Sequence, residues 1–158
     1  MRRKDREISD REDMLDVLRR CDTIRVAMVS EGAPYIVPIS FGIEAEEGRP
    51  VALYFHCART GRKAEALAQN PRVCVEADIF YKTESTPHGI TARYESIIGF
   101  GSAHPVEGEE KQRGLRCLLE HYGYTSYPLD SCAYLPATAV YKITLDSLTG
   151  KRNLPQET

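Results

Sequence analysis

The run Leu53-Tyr54-Phe55-His56-Cys57-Ala58-Arg59-Thr60-Gly61-Arg62-Lys63 carries the residues best suited to chemistry. It reads as a buried strand, a sharp turn and the first turn of a helix bearing two adjacent cations. Thr60 is placed to cap that helix. Gly61, Arg62 and Lys63 then fill its first positions, where backbone N–H groups have no partner within the helix. Those N–H groups, the positive end of the helix dipole, a guanidinium fork and an ammonium together make a cradle for a phosphate. A purely structural helix start would carry Asp or Glu, because cations there oppose the dipole and glycine costs about 1 kcal/mol relative to alanine. A solvated basic helix end is the plainer alternative. His56 ends the strand just before the cradle, and with an ordinary pKa of about 6.5 it is suited to donate a proton or bind a substrate anion. The alternative is a structural histidine bonded to a backbone carbonyl.

Other chemistries find less support. No His, Cys or acidic residues have zinc-ligand spacing, so no metal site is expected. His56 and Cys57 are strand neighbours that point to opposite faces, which disfavours a Cys–His nucleophile. Gly99-Phe100-Gly101 lacks the third glycine of a dinucleotide fingerprint, and a strand continues through it. His104 and His121 read as structural or exposed, whereas His88 sits in a loop that could face a pocket. Tyr122, Tyr124 and Tyr127 could cover a pocket or an interface, although loop and core packing explains them equally well. Cys21, Cys57, Cys74, Cys117 and Cys132 are odd in number and widely spaced, as expected of reduced thiols in a cytosol.

The chain has 158 residues, 42% of them hydrophobic, which suits a single domain over residues 1–158 with a substantial core. Its 23 acidic and 21 basic residues give a net charge of −2, unlike the basic excess of nucleic-acid-binding proteins. No apolar run is long enough to span a membrane. The basic start, Met1 to Arg6, has no apolar stretch behind it and so is not a signal peptide. A cytoplasmic protein is expected.

The elements that must position these groups follow from patterning. Ser9-Asp10-Arg11-Glu12 has capping-box form, predicting a helix from about Asp10 to Arg20. Thr23 to Val29 predicts a strand, with a turn at Glu31-Gly32-Ala33-Pro34 leading into a second one through Phe41. There Tyr35, Val37, Ile39 and Phe41 share a face, and Pro38 demands an edge, a bulge or a neighbour other than a strand. Val51 to His56 is a third strand, and the helix after Thr60 should end near Asn70, before Pro71. Arg72 to Ile79 alternates cleanly, Tyr81 to Arg93 reads as a polar loop, and Tyr94 to Ala103 is a long strand with Gly99 and Gly101 at bulges or close approaches. Glu107 to Tyr122 is an amphipathic helix presenting Leu115, Leu118, Leu119 and Tyr122, with Gly123 as C-cap. Ala139 to Leu145 is the last strand. The core should occupy residues 8–148, with flexible tails at 1–7 and 149–158. About six strands and three helices, joined mostly as hairpins, predict a mainly β, α+β antiparallel barrel with flanking helices.

Four runs in this order point to a family: Pro34 to Gly42, Tyr54-Phe55-His56 with Gly61-Arg62-Lys63, Asn70 to Glu76, and Tyr94 to Gly101. The chain resembles the pyridoxamine-phosphate-oxidase-like flavin-binding split barrels, and among them the 5-nitroimidazole resistance (Nim-type) proteins, from about Arg6 to Lys151. The resemblance implies a six-stranded split barrel that forms a homodimer with two FMN molecules at the interface. It assigns the flavin phosphate to Gly61, Arg62 and Lys63, and the ring to Val37, Pro38, Ile39 and Ser40 with Phe55 and His56 nearby. The partner subunit is implied to contribute Tyr94 and Ser96. It also implies a catalytic His56 in an FMN-dependent oxidoreductase acting on a small oxidised substrate, nitroaromatics included. The alternative is a non-catalytic binder of flavin, heme or deazaflavin on the same barrel. One departure stands out: Nim-type proteins often carry a cysteine six residues before the Tyr94 position, where this chain has His88.

Overall fold

The structure, a computed structural model, describes residues 3–87, 89–129 and 135–155. His88 and Cys132 lie outside the described residues. The strands are β1 (Glu7–Ile8), β2 (Ile24–Ser30), β3 (Ala33–Ile39), β4 (Gly42–Glu44), β5 (Ala52–Ala58), β6 (Arg72–Thr86), β7 (Gly89–Val106) and β8 (Thr138–Asn153). The helices are α1 (Arg11–Arg20), α2 (Arg62–Gln69) and α3 (Gly108–His121). Every ladder is antiparallel, in the order β3-β2-β6-β7-β8-β5-β4, with β1 added to β8. The described residues therefore hold eight strands against the expected six, because β1 and β4 are too short to show a pattern.

The two edges of this sheet, β3 and β4, are consecutive in the chain and separated only by Ser40 and Phe41. The sheet must therefore curl until its edges meet, and no ladder joins them. The result is a barrel with a seam. Phe41, fully buried, fills the seam from inside. The interior packs Ile24, Val26, Leu53, Phe55, Val75 and Ile143, and α1 adds Leu15 and Leu18 at one side. A second apolar cluster lies outside the barrel wall, where α3 covers β5 and β8 through Leu115, Leu118, Tyr54 and Val140. β5 is thus buried on both faces, which explains its unbroken apolar run from Ala52 to Phe55.

Local chemistry sets the element ends. Asp10, not Ser9, caps α1: its carboxylate accepts from the Asp13 N–H at 3.0 Å. Glu31 and Gly32, with φ of 54° and 76°, make the two-residue β2–β3 turn, so Ala33 and Pro34 already belong to β3. Pro38 is tolerated because β3 is an edge strand. At the end of α3, Gly123 adopts φ 81° and the Tyr124 N–H reaches the Leu119 carbonyl at 2.8 Å, closing a Schellman motif.

Two segments differ from expectation. Tyr81 to Arg93 is not a loop but a two-stranded arm, in which β6 and β7 continue past a bulge at Phe80/Lys82. Its far part pairs with no third strand, so it carries no core face and shows no apolar alternation; an ion pair between Glu84 and Arg93 ties it together. The polar segment after Leu145 is likewise not a tail. β8 runs on to Asn153 between β7 and β1, and Glu7 and Ile8 pair with it. A bulge at Phe100/Gly101 bends the ladder there, and a Cβ at Gly101 would overlap the Thr144 carbonyl oxygen. Among the described residues, no helix is long and apolar enough to cross a membrane.

Candidate functional site: a basic helix start beside an apolar cavity

The start of α2 is bare. Gly61 is its N-cap, with φ 117° and ψ 171°, and no side chain caps the helix. Thr60, expected in that role, stays outside it. The φ of Gly61 lies where side-chain-bearing residues are strained, and it swings the chain from β5 into α2. The N–H groups of the first turn are left facing outward. Arg62 is held in place: its Nε donates to Ser30 Oγ at 3.0 Å, and its guanidinium lies 4.4 Å from the Tyr35 ring centroid. Lys63 Nζ sits 5.4 Å from the centroid of Phe55, which itself stacks on Tyr141 at 5.2 Å. No carboxylate pairs with Arg62 or Lys63 among the described residues. Glu65 is the sole acid in this first turn.

Phe55 and His56 point to opposite faces of β5. Phe55 enters the barrel, while His56 turns toward α3. There His56 and Ser40 line one wall of a cavity of about 460 Å³. α3 supplies the opposite wall through Leu115, Leu118, Leu119 and Tyr122, and Tyr124 and Tyr127 flank it. The size is that of a small-molecule pocket, and among the described residues no carboxylate, guanidinium or ammonium lines it. Desolvation, and then the Lys63 charge, push the His56 pKa below the ordinary histidine value. His56 is therefore mostly neutral at pH 7.

α3 is fixed at both ends, which sets the cavity's shape. Near its start, the buried Tyr54 hydroxyl donates to Glu44 at 2.9 Å, and Lys142 meets Glu110 at 2.7 Å. Near its end, His121 Nε2 lies 2.8 Å from the Cys21 carbonyl and Tyr122 donates to the Asp22 carbonyl at 2.6 Å. His121 is thus structural, as expected. Lys111, buried, donates to the carbonyls of Leu135 and Thr138 at 3.1 and 2.6 Å, fixing the remaining flank.

Of the anticipated site residues, the structure brings Ser40 and His56 together at the cavity and Gly61, Arg62, Lys63 and Phe55 together at the cradle. Val37 and Ile39 face the barrel interior, and Pro38 is exposed on the edge strand. Tyr94 and Ser96 are elsewhere. They alternate with Ile98 and Phe100 on the outer face of β7, and Tyr94 lies eight residues before Ser102, whose partner Arg72 is near the α2 end of the barrel. That is about 26 Å along the strand. Nothing in residue type or spacing points to Ser30 and Tyr35 as anchors for Arg62, nor to Leu129, Leu135 and Thr138 as cavity wall. These contacts are long-range, and the residue types are ordinary.

The outer face bearing Tyr94 combines an exposed apolar patch with an ion cluster of Arg25, Glu76 and Asp78. Ile36, Ala27, Cys74 and Phe100 sit opposite one another across four strands. On it Ile36 is 58% exposed, Phe100 50%, Val29 45% and Ile98 43%.

A family model described as pyridoxamine 5'-phosphate oxidase matches residues 10–152. The chain belongs to the pyridoxamine 5'-phosphate oxidase family. Among solved structures, it is similar to a candidate 5-nitroimidazole antibiotic resistance protein from Bacteroides thetaiotaomicron, with 29% identity, a TM-score of 0.78, and coverage of 92% of this chain and 85% of that one. It is also similar to the flavocytochrome Anf3 from Azotobacter vinelandii, at 19% identity and TM-score 0.80, covering 98% and 72%. The FAD and heme binding protein from Mycobacterium smegmatis follows at 21% identity and TM-score 0.77, covering 97% and 77%. No protein with a curated function matches. The seamed barrel described above is thus the split barrel of this family.

Proposed function

We propose that this protein is an FMN-dependent oxidoreductase that reduces a small oxidised substrate, nitroaromatics included, with the flavin held between two copies of the chain. The observation that carries this reading is the uncapped start of α2, with the pinned Arg62 and with Lys63, opening next to an apolar cavity edged by His56. The residues fit a flavin phosphate: bare N–H groups, a guanidinium fork and an ammonium, with no acid paired to either cation among the described residues. FMN, when bound, supplies the hydride chemistry. Gly61, Arg62 and Lys63 would hold its phosphate, and the exposed Pro38 and Ser40 at the β3 edge would border its ring, with Val37 and Ile39 offering only backbone and Phe55 enclosed in the barrel behind them. The cavity excludes water from the substrate, and His56, exposed at its edge, exchanges a proton with it. Relatives named for nitroimidazole resistance and for flavin binding support this assignment.

The distances support a dimer if Tyr94 and Ser96 contact the flavin. Tyr94 and Ser96 lie too far along β7 to reach the cradle of their own chain. A two-fold axis lying between paired outer faces and perpendicular to the strands would set the Tyr94 end of one copy against the α2 end of the other. Cys21, Cys57, Cys74 and Cys117 are free thiols, which fits a reducing cytoplasm.

The test is the absorption spectrum and mass of whatever co-purifies with the protein, followed by turnover with reduced nicotinamide and a nitroaromatic acceptor. A yellow protein that releases FMN and turns over supports the proposal. A lone subunit indifferent to excess FMN overturns it. A Soret band in place of flavin absorbance makes the protein a heme binder on the same barrel.

A further inference from the structure

The turn from β5 into α2 is tied across to the wall of the apolar cavity. The β5–β8 ladder ends at the pair Ala58 and Thr138, and beyond it a side chain continues the connection. Arg59 Nε donates to the Pro136 carbonyl at 3.0 Å, and its Nη1 donates to Glu107 at 3.3 Å. Glu107 is the N-cap of α3, yet its carboxylate does not cap the helix; it lies between Arg59 and Lys111, 3.9 Å from the Lys111 ammonium. The buried Lys111 in turn holds the Leu135 and Thr138 carbonyls. Two cations sharing one carboxylate thus grip three carbonyls within the run 135–138. Leu135 and Thr138 line the cavity, and Arg59 stands just ahead of Thr60 and Gly61 at the cradle. The two cations differ in freedom. Lys111 is enclosed, whereas half of the Arg59 side chain is exposed, so the Arg59 tie is the one that opens and closes at little cost.

We infer that Arg59 is a positioning residue that couples the cradle to the cavity, so that an anion at the start of α2 and an uncharged ring in the cavity bind cooperatively. The inference rests on the reading of those two places as the flavin-phosphate and substrate sites. The turn has two arrangements: tied, with Arg59 on Pro136 and Glu107, and released, with Arg59 in solvent. An anion held by the N–H groups after Gly61 fixes the turn from one side, and a ligand packed on Leu135 and Thr138 fixes the wall from the other. Each favours the tied arrangement, so each lowers the cost of binding the other. Arginine suits this task because its planar fork reaches a carbonyl and a carboxylate at once, which a lysine ammonium does less well. Arg62 and Lys63, not Arg59, meet the anion.

The experiment is calorimetric titration of FMN into the full chain, with and without saturating 4-nitrobenzyl alcohol as an uncharged nitroaromatic probe and with no electron donor present. The probe is expected to tighten FMN about fivefold in the parent. In Arg59→Met FMN should still bind and the gain should fall to about twofold or less, while Arg59→Lys keeps part of it. Glu107→Gln, at an exposed position outside both sites, should lower the gain in the same direction. A merely structural role would weaken FMN equally with and without the probe and so leave the gain unchanged. No gain in the parent, or the same gain in Arg59→Met, overturns the coupling and leaves the flavin reading standing. Loss of all FMN binding in Arg59→Met makes Arg59 a ligand of the cofactor and overturns its positioning role. A parent chain that binds no FMN overturns both.

Discussion

Arg62 does not wave in solvent. Ser30 and Tyr35 hold its guanidinium before any ligand arrives, so less side-chain entropy is lost on binding an anion. Arg62→Ala/Lys63→Ala is expected to weaken FMN by about a hundredfold and riboflavin only slightly, since only FMN carries the phosphate; paired flavin titrations check this. Equal losses for both flavins would remove the phosphate assignment. His56 leads to a pH prediction. Its pKa is lower folded than unfolded. Between the folded value and about 6.5 the unfolded chain binds more protons, so stability is complete above that window and is lost as pH falls through it. Denaturant midpoints measured from pH 7 down to pH 5 should fall less steeply in His56→Gln than in the parent. At this scale the sequence was legible where residue type alone implies chemistry, as with adjacent cations after a glycine. It was silent on Ser30, Tyr35 and Leu129, whose importance lies in what folds against them.

α3 works as a strut. One end is tied to β4 and β8 through Tyr54, Glu44, Glu110 and Lys142, and the other to the start of β2 through His121 and Tyr122. Gly42 makes its close approach possible, because a Cβ there would run into the backbone of Cys117. Gly42→Ala is therefore expected to cost about 2 kcal/mol or more and to open the cavity; thermal melting reads the first effect and substrate KM the second. Apolar spacing made the short, half-buried elements readable in advance: β2, the first half of β6, α2 and α3, although the expected Thr60 cap of α2 is not made. It failed for the arm of β6 and β7 and for the end of β8. Those stretches are held by ladder hydrogen bonds and by ion pairs such as Arg93 with Glu84, neither of which leaves an apolar period. Capping patterns failed also at the start of α1, where two candidate residues stand side by side and Asp10 takes the role.

The outer face of the sheet exposes Ile36, Val29, Ile98 and Phe100 beside the Arg25, Glu76 and Asp78 cluster. If two copies bury it, Phe100→Asp in the middle of that face should yield monomers, seen as a halved mass in sedimentation. Flavin should be lost together with the dimer, because Tyr94 and Ser96 can reach a cradle only across the interface. Monomers that keep full flavin affinity would show that each chain builds its site alone. The barrel itself was foreseeable from the count of hairpin-linked strands. Its seam was not, because the meeting of β3 and β4 depends on the order of the whole sheet.

β8 has a bearing on how the molecule is made. This one strand zips to β5 over Thr138 to Thr144 and to β7 from Val140 to Asn153, so it joins the two halves of the wall. While the ribosome is still short of residue 138, both β5 and β7 wait with open edges. A nascent chain paused there is a template for stray pairing with its neighbours, and a helper that shields exposed edges matters most until β8 has been made.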